Sequence, residues 1–195
     1  MFHRTERLLL RPGFTEDAEE LARAIGDEGI VRNLASAPWP YEERHARDFL
    51  ASERHPLLPS FVLMLRTRGA PRIVGSCGIG EAPEGGIELG YWIARPYWGL
   101  GFATEAARAV VAIARSTGIR AIHAGHFTDN PASGRVLVKA GFRPTGRIEP
   151  RFSAGRGGQA DCVLYELAED SGEGDVGPID DDMTDFRETI RLMAA

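Results

Sequence analysis

Tyr91-Trp92-Ile93-Ala94-Arg95-Pro96-Tyr97-Trp98-Gly99-Leu100-Gly101-Phe102-Ala103-Thr104-Glu105-Ala106 is the stretch that decides how this chain folds. An apolar, aromatic strand runs into a tight glycine turn, and the turn opens directly into an alanine-rich helix. Small residues at 99, 101 and 103 leave the backbone uncovered where the first helical N–H groups lack intrahelical partners. Free donors and the positive end of the helix dipole then point at one spot, which makes an anion site suited to a phosphate-bearing ligand.

Upstream of this stretch, Arg72–Gly80 and Gly86–Ala94 read as strands around the turn-rich Ala82-Pro83-Glu84-Gly85-Gly86. Phe61-Val62-Leu63-Met64-Leu65 is apolar throughout, as a buried strand is, and the three segments predict an antiparallel meander. Nearer the N-terminus, Thr5–Pro12 reads as a first strand closed by Pro12-Gly13. Thr15 offers an N-cap to a helix carrying Ala18, Leu21, Ala22 and Ile25, and a second helix is expected over about Glu42 to Glu53. The stiff aromatic loop Ala37-Pro38-Trp39-Pro40-Tyr41 lies between them.

Downstream, the helix after the glycine turn is expected to run to about Ser116 and to end at Thr117-Gly118. Ile119–Phe127 reads as a strand, and a short helix begins at Asp129 or Asn130 and stops at Gly141. Strands are expected near Phe142–Ile148 and Asp161–Leu167. Helices and strands mix without strict alternation, which predicts an α/β fold with a sheet of mixed direction.

The net charge of −5 belongs to one end of the chain. From Glu169 onward there are 9 acidic and 2 basic residues, against 19 acidic and 21 basic before it, so the body is near neutral. Nothing there forms the basic stripe that nucleic-acid binding requires. Residues 169–182 read as an acidic, glycine-rich flexible linker, and Met183, Phe186, Ile190 and Met193 fall on one face of an amphipathic C-terminal segment, 183–195. That face suits docking on its own domain or on a partner subunit, with a regulatory or partner-binding tail as the alternative. No apolar run is long enough to span a bilayer, and Met1-Phe2-His3-Arg4-Thr5-Glu6 does not read as a signal peptide. Cys77 and Cys162 have no metal-type spacing, so free thiols in a reducing cytoplasm, and no metal site, are expected.

A glycine turn after a strand also occurs in dinucleotide and nucleoside-triphosphate folds. Gly99-x-Gly101 is followed by threonine at 104 where the dinucleotide fingerprint needs glycine, and Arg120-Ala121-Ile122 stands where its acidic residue belongs. No Gly-Lys-Ser/Thr is present for a P-loop.

Trp98-Gly99-Leu100-Gly101-Phe102-Ala103 resembles the pyrophosphate loop of the GNAT superfamily of acetyl-CoA-dependent N-acetyltransferases. In that family the loop reads Gln/Arg, two residues, Gly, one residue, then Gly or Ala; Gly101 and Ala103 match, and Trp98 replaces the Gln/Arg. That replacement is similar to the branch of ribosomal-protein alanine N-acetyltransferases, where Tyr-Trp-Gly-x-Gly-Tyr/Phe-Ala-Thr-Glu-Ala recurs. Glu88-Leu89-Gly90-Tyr91-Trp92-Ile93 resembles the family's splayed fourth strand, Asn130-Pro131-Ala132-Ser133 its Asn-x-x-Ser helix start, and Val136–Phe142 the turn that follows. The resemblance covers roughly residues 5 to 168. It implies a GNAT fold: a mixed, mostly antiparallel sheet, splayed at its centre, with helices on both faces.

The resemblance further implies acetyl-CoA as cosubstrate and direct attack of an amine acceptor on the thioester. Coenzyme contacts are expected from Tyr91, Trp92, Ile93, Trp98, Gly99, Leu100, Gly101, Phe102, Ala103, Thr104, Asn130 and Ser133. Glu88 is the candidate base: on an alternating strand it shares a face with Gly90 and Trp92, and apolar neighbours favour a protonated carboxyl. A solvated edge charge is the rival account. Backbone N–H groups near Tyr91 to Ile93 are candidates to polarise the thioester carbonyl. Ser133 is the candidate general acid or thiolate-contacting hydroxyl, since Val136-Leu137-Val138-Lys139 lacks the tyrosine many relatives use there; a first-turn residue satisfying a backbone group, with protonation through water, is the rival account. Asn130 is expected to cap the helix. His123 and His126 fall on opposite faces of their strand; either is an alternative base, or simply hydrogen-bonded. Trp39, Tyr41 and Phe152, with Glu88 and Arg156-Gly157-Gly158, are expected at the acceptor pocket, with core packing as the rival role for the loop aromatics. Arg135 and Lys139 are candidates for coenzyme phosphates or plain solvated charges. A homodimer is compatible with the family. A non-catalytic acyl-CoA-binding sensor or assembly module is the alternative function.

Overall fold

The computed structural model describes residues 1–168 apart from Glu53, Arg54, Pro56, Arg68, Pro83 and Glu84. The expected linker and C-terminal amphipathic segment lie outside the described residues. Eight strands, β1 (His3–Arg4), β2 (Leu8–Arg11), β3 (Ser60–Leu65), β4 (Arg72–Glu81), β5 (Ile87–Ile93), β6 (His123–Phe127), β7 (Phe142–Ser153) and β8 (Gly158–Leu167), form one sheet. Their order is β1-β2-β3-β4-β5-β6-β8-β7. Every neighbouring pair is antiparallel except β5 and β6.

The meander β3-β4-β5 forms as its apolar patterning predicts, with Phe61, Val62, Leu63 and Met64 all buried in the middle of the sheet. The single first strand expected over residues 5–12 is instead a small hairpin. Thr5 accepts through its hydroxyl from the Leu8 N–H and turns the chain, so that His3 pairs with Leu10. Thr15 is not an N-cap either. It opens a 3₁₀ turn (Thr15–Asp17) whose cap is Phe14, and the helix α1 begins at Ala18. The strand expected from Ile119 starts at His123, and the last two strands form a longer hairpin than their apolar cores mark.

Helices cover both faces. α1 (Ala18–Ile25), the short α2 (Glu28–Val31), not expected from the sequence, and α3 (Glu43–Ala51) bury Leu21, Ile25, Val31, Ala46 and Leu50 against one face. α4 (Phe102–Ser116) and α5 (Pro131–Lys139) cover the other, with Leu8, Leu10, Leu63, Val74 and Val110 fully buried beneath. Each such side chain contributes roughly 1.5–3 kcal/mol of burial. Alanines at 106, 107 and 114 let α4 lie close to the strands.

The position of the site follows from one irregularity. β5 and β6 run parallel yet share a single register pair, Glu88 with His123. Beyond that pair no ladder joins them, so the sheet opens into a cleft toward the C-terminal ends of both strands. Among the described residues no helix is long and apolar enough to cross a membrane. Cys77 and Cys162 are both buried.

Candidate active site

The cleft exposes backbone. Ala94 donates to the Val74 carbonyl on β4, and antiparallel alternation turns Trp92 the same way. Tyr91 and Ile93 therefore direct their N–H and C=O groups away from β4, into the cleft. The Trp98 indole N–H donates to the Ile93 carbonyl at 2.6 Å, which folds the glycine loop back over the strand end. Arg95 stacks on the Trp98 ring at 4.6 Å. Trp98 is thus a scaffold of the loop, which explains how it replaces a polar residue there.

Gly99 (φ +75°) and Gly101 (φ +83°) both take the left-handed backbone, where a Cβ is disfavoured. Gly101 is the N-cap of α4, and no side chain caps that helix. Its first-turn N–H groups, from Phe102, Ala103 and Thr104, face an open loop, and a Cβ at Gly99 would meet nothing within 4 Å. Such a terminus fits a phosphate-bearing ligand on its own geometry. Arg7 braces the loop by donating to the Leu100 carbonyl at 2.8 Å, and its guanidinium lies 4.5 Å from the Phe102 ring centroid. The same guanidinium meets the Glu105 carboxylate at 2.7 Å. Burial works against the charge of Glu105, but hydrogen bonds from Thr5 and from the Arg7 backbone and side chain outweigh it and hold the carboxyl below its ordinary value.

Strand alternation sorts the chemistry onto two faces. Leu89, Tyr91 and Ile93 face α4, while Trp92 packs with the cluster of α1 and α3, the face shared by Glu88. On the α4–α5 side, the Tyr91 hydroxyl lies 2.7 Å from Ser133 Oγ and 3.0 Å from the Ser133 carbonyl oxygen. Burial pushes the Tyr91 phenol above its ordinary value against the opposing effect of the Ser133 hydrogen bond, with Cys77 and Tyr165 adding to the rise. Gly134 brings the first turn of α5 onto β6; a Cβ there would sit 2.6 Å from His126 Nε2. A tyrosine therefore does reach the start of this helix, from β5 rather than from the helix itself.

Glu88 shares its face with Trp92, as the alternation of β5 predicts, but it is paired rather than isolated. Both its carboxylate oxygens accept from Arg151 Nη1 at 2.8 Å, and the pair joins β5 to β7 over the intervening β6 and β8. Asn130 occupies the N-cap position of α5 but makes no side-chain cap bond; Ser133 N–H donates to its backbone carbonyl instead. His126 bonds the Phe127 carbonyl through Nδ1 and lies 3.4 Å from the Tyr165 hydroxyl through Nε2, while His123 is exposed at the strand pair. Lys139 takes the Arg108 side chain on its backbone carbonyl, and Arg135 is exposed on the same helix.

Trp39 and Phe152 are exposed, whereas Tyr41 is half-buried, edge-on to His45, and packs on the α1–α3 cluster. Burial, and then the nearby Asp48, push the Tyr41 phenol up to about 12. A clamp that the sequence does not announce ties this wall together. Asp129 accepts two hydrogen bonds from Arg156, at 2.9 and 2.7 Å, and one from Arg32 at 3.1 Å. Arg156 also donates to the Arg32 carbonyl and to Asn33 Oδ1, and the Ser153 hydroxyl lies 2.8 Å from the Leu34 carbonyl and 3.1 Å from that of Arg32. The Arg156 hydrogen bonds, followed by the charges of both arginines, hold the Asp129 carboxyl below its ordinary value. The loop after α2, the β6–α5 connection and the β7–β8 hairpin are thereby clamped as one wall.

This architecture has known counterparts. The acetyltransferase (GNAT) domain family matches residues 7–143. The uncharacterized N-acetyltransferase YoaA of Bacillus subtilis (strain 168) is 29% identical over 171 residues, covering 84% of this chain and 94% of that protein. The uncharacterized N-acetyltransferase p20 of Bacillus licheniformis is 25% identical over 168 residues, covering 84% and 93%. Among solved structures, a GNAT-family acetyltransferase from Bacillus anthracis superposes with a TM-score of 0.71 at 24% identity, over 86% of this chain and 98% of its own. RimL, a ribosomal L7/L12 α-N-protein acetyltransferase solved with coenzyme A, superposes with a TM-score of 0.72 at 16% identity, over 88% and 100%. With the family match spanning more than half of its length, the chain belongs to the GNAT acetyltransferase family and is an N-acetyltransferase.

Proposed function

We propose that this protein transfers an acetyl group from acetyl-CoA to a primary amine, by direct attack within a ternary complex. The observation that carries this reading is the uncapped N-terminus of α4, behind Gly99 and Gly101, set beside a cleft that opens after one register pair. The N–H groups of Phe102, Ala103 and Thr104 would hold the pyrophosphate, with Trp98, Gly99, Leu100 and Gly101 shaping the loop around it. The cleft-facing backbone of Tyr91 and Ile93 would hold the pantetheine arm, with Trp92 fixing the strand and Asn130 flanking the cleft. The coenzyme supplies an activated thioester; the protein supplies orientation and proton management.

Glu88, on the α1–α3 face, takes the proton of the attacking amine, and Arg151 aims its carboxylate. Ser133, on the α4–α5 side, donates a hydrogen bond to the departing sulfur. Trp39, Phe152 and the clamped wall around Asp129 border the acceptor, which is a protein N-terminus or a small-molecule amine. The test is thiol release from acetyl-CoA over a panel of small amines and peptides with free N-termini. Amine-dependent release supports transfer, and release confined to peptides with an unblocked α-amine assigns a protein N-terminus. Coenzyme binding without release on any amine would point instead to a coenzyme sensor.

A further inference from the structure

A serine hydroxyl is a weak donor on its own, yet acetyl transfer at this site asks one to serve a departing sulfur. Tyr91 stands directly behind it. Its Oη lies 2.7 Å from Ser133 Oγ and 3.0 Å from the Ser133 carbonyl oxygen, and a phenol has only one hydrogen to give. If that hydrogen goes to the carbonyl, the serine must donate back into Tyr91 and its own hydrogen is spent. If it goes to Oγ, the serine hydrogen is free to turn into the cleft. The two arrangements differ by rotation of two O–H bonds, with no heavy atom moving.

We propose that Tyr91 is the positioning residue for Ser133, donating to its Oγ so that the serine hydrogen points at the leaving sulfur. This rests on the acetyl-transfer reading and goes beyond it. Three features hold Tyr91 in place. It sits opposite Cys77 on β4, packs onto the α4 side of the core, and meets a helix turn that Gly134 lets approach. Its burial keeps the phenol protonated, so it acts as a fixed donor rather than as the source of the transferred proton. A hydroxyl that accepts one hydrogen bond donates a stronger one, which is what the sulfur needs as charge builds on it.

The test compares Tyr91→Phe, Ser133→Ala and the double variant in thiol release, with coenzyme affinity by calorimetry and thermal unfolding alongside. Tyr91→Phe is expected to lower kcat about tenfold, the effect of one hydrogen bond realised in the transition state, without changing coenzyme Kd. In the Ser133→Ala background it is expected to do nothing further. Ring-fluorinated tyrosine at position 91 keeps the shape and strengthens the donor, and kcat is expected to rise with phenol acidity. Wild-type turnover in Tyr91→Phe, an equal loss in both backgrounds, or a flat response to fluorination would overturn the proposal. If the wild-type protein releases no thiol with any amine, the acetyl-transfer reading itself fails and takes this proposal with it.

Discussion

Both carboxylate oxygens of Glu88 lie 2.8 Å from a single nitrogen, Nη1 of Arg151. The two residues are 63 positions apart, and the bond reaches over β8 and β6 to the one register pair from which β5 and β6 part. Each side chain is only 23% exposed, so solvent screens the pair less than a surface ion pair. The carboxylate thus has a fixed direction at the apex of the cleft, which an isolated acid among apolar groups would lack.

Glu88→Gln is therefore expected to lower kcat by about 10²-fold or more, the usual weight of a positioned base, with coenzyme Kd unchanged. Full activity in that variant would remove Glu88 from the chemistry. Arg151→Leu is expected to cost about 1–3 kcal/mol of stability, as the loss of hydrogen bonds to a charged group does, measured by denaturant unfolding.

Gly101→Ala forces a side chain into a left-handed backbone at the N-cap of α4. The new Cβ would stand 3.5 Å from Arg7 Nη2, an ordinary contact, so the cost is conformational, about 1–2 kcal/mol. Gly118 has a similar φ of +86° and open space around it, at the far end of the same helix. Both alanine variants should lose comparable stability, but only Gly101→Ala should weaken coenzyme binding in a calorimetric titration.

Asp129→Asn removes the charge that gathers Arg156 and Arg32. Loosening that wall is expected to raise the KM for the acceptor amine several-fold while leaving coenzyme Kd near its wild-type value. An effect on coenzyme affinity alone would place the clamp on the wrong side of the reaction.

Glu105 links stability to pH. Its folded carboxyl is held below the ordinary value, against its own burial, by Thr5 and Arg7. Its contribution is therefore complete above the ordinary glutamate range and is lost as pH falls through the depressed folded value. Glu105→Gln is expected to be less stable than the wild type at neutral pH, with the difference narrowing in acid, as thermal unfolding across pH would record. A difference that stays constant down to strongly acidic pH would contradict this linkage.

The legible part of this molecule is local. Residues 91–106 announce a strand, a glycine turn and a helix through patterning and φ preferences that neighbours in sequence decide, and they fold that way. The alternation of β5 also separates Glu88 from Tyr91 correctly. What the sequence hides depends on β8 inserting between β6 and β7. That strand order brings Arg151 to Glu88 and Arg156 to Asp129, and no local pattern encodes it. Tyr91 is legible as a strand residue, but its hydroxyl meets Ser133 only because Gly134 allows α5 down onto β6. The short first hairpin escapes a local reading because Leu8-Leu9-Leu10 reads as a strand whatever precedes it, and the reversal at Thr5 is closed by its hydroxyl together with one backbone bond to the Leu8 carbonyl.

The most direct test of the central claim follows an isotopic label in the acetyl group of acetyl-CoA through a single turnover. Direct transfer predicts that the label stays with the coenzyme until an amine is added, then appears in the amide product and never on denatured protein. Label on the protein before any amine is present would contradict direct attack, and label that never leaves bound coenzyme with any amine would contradict transfer altogether.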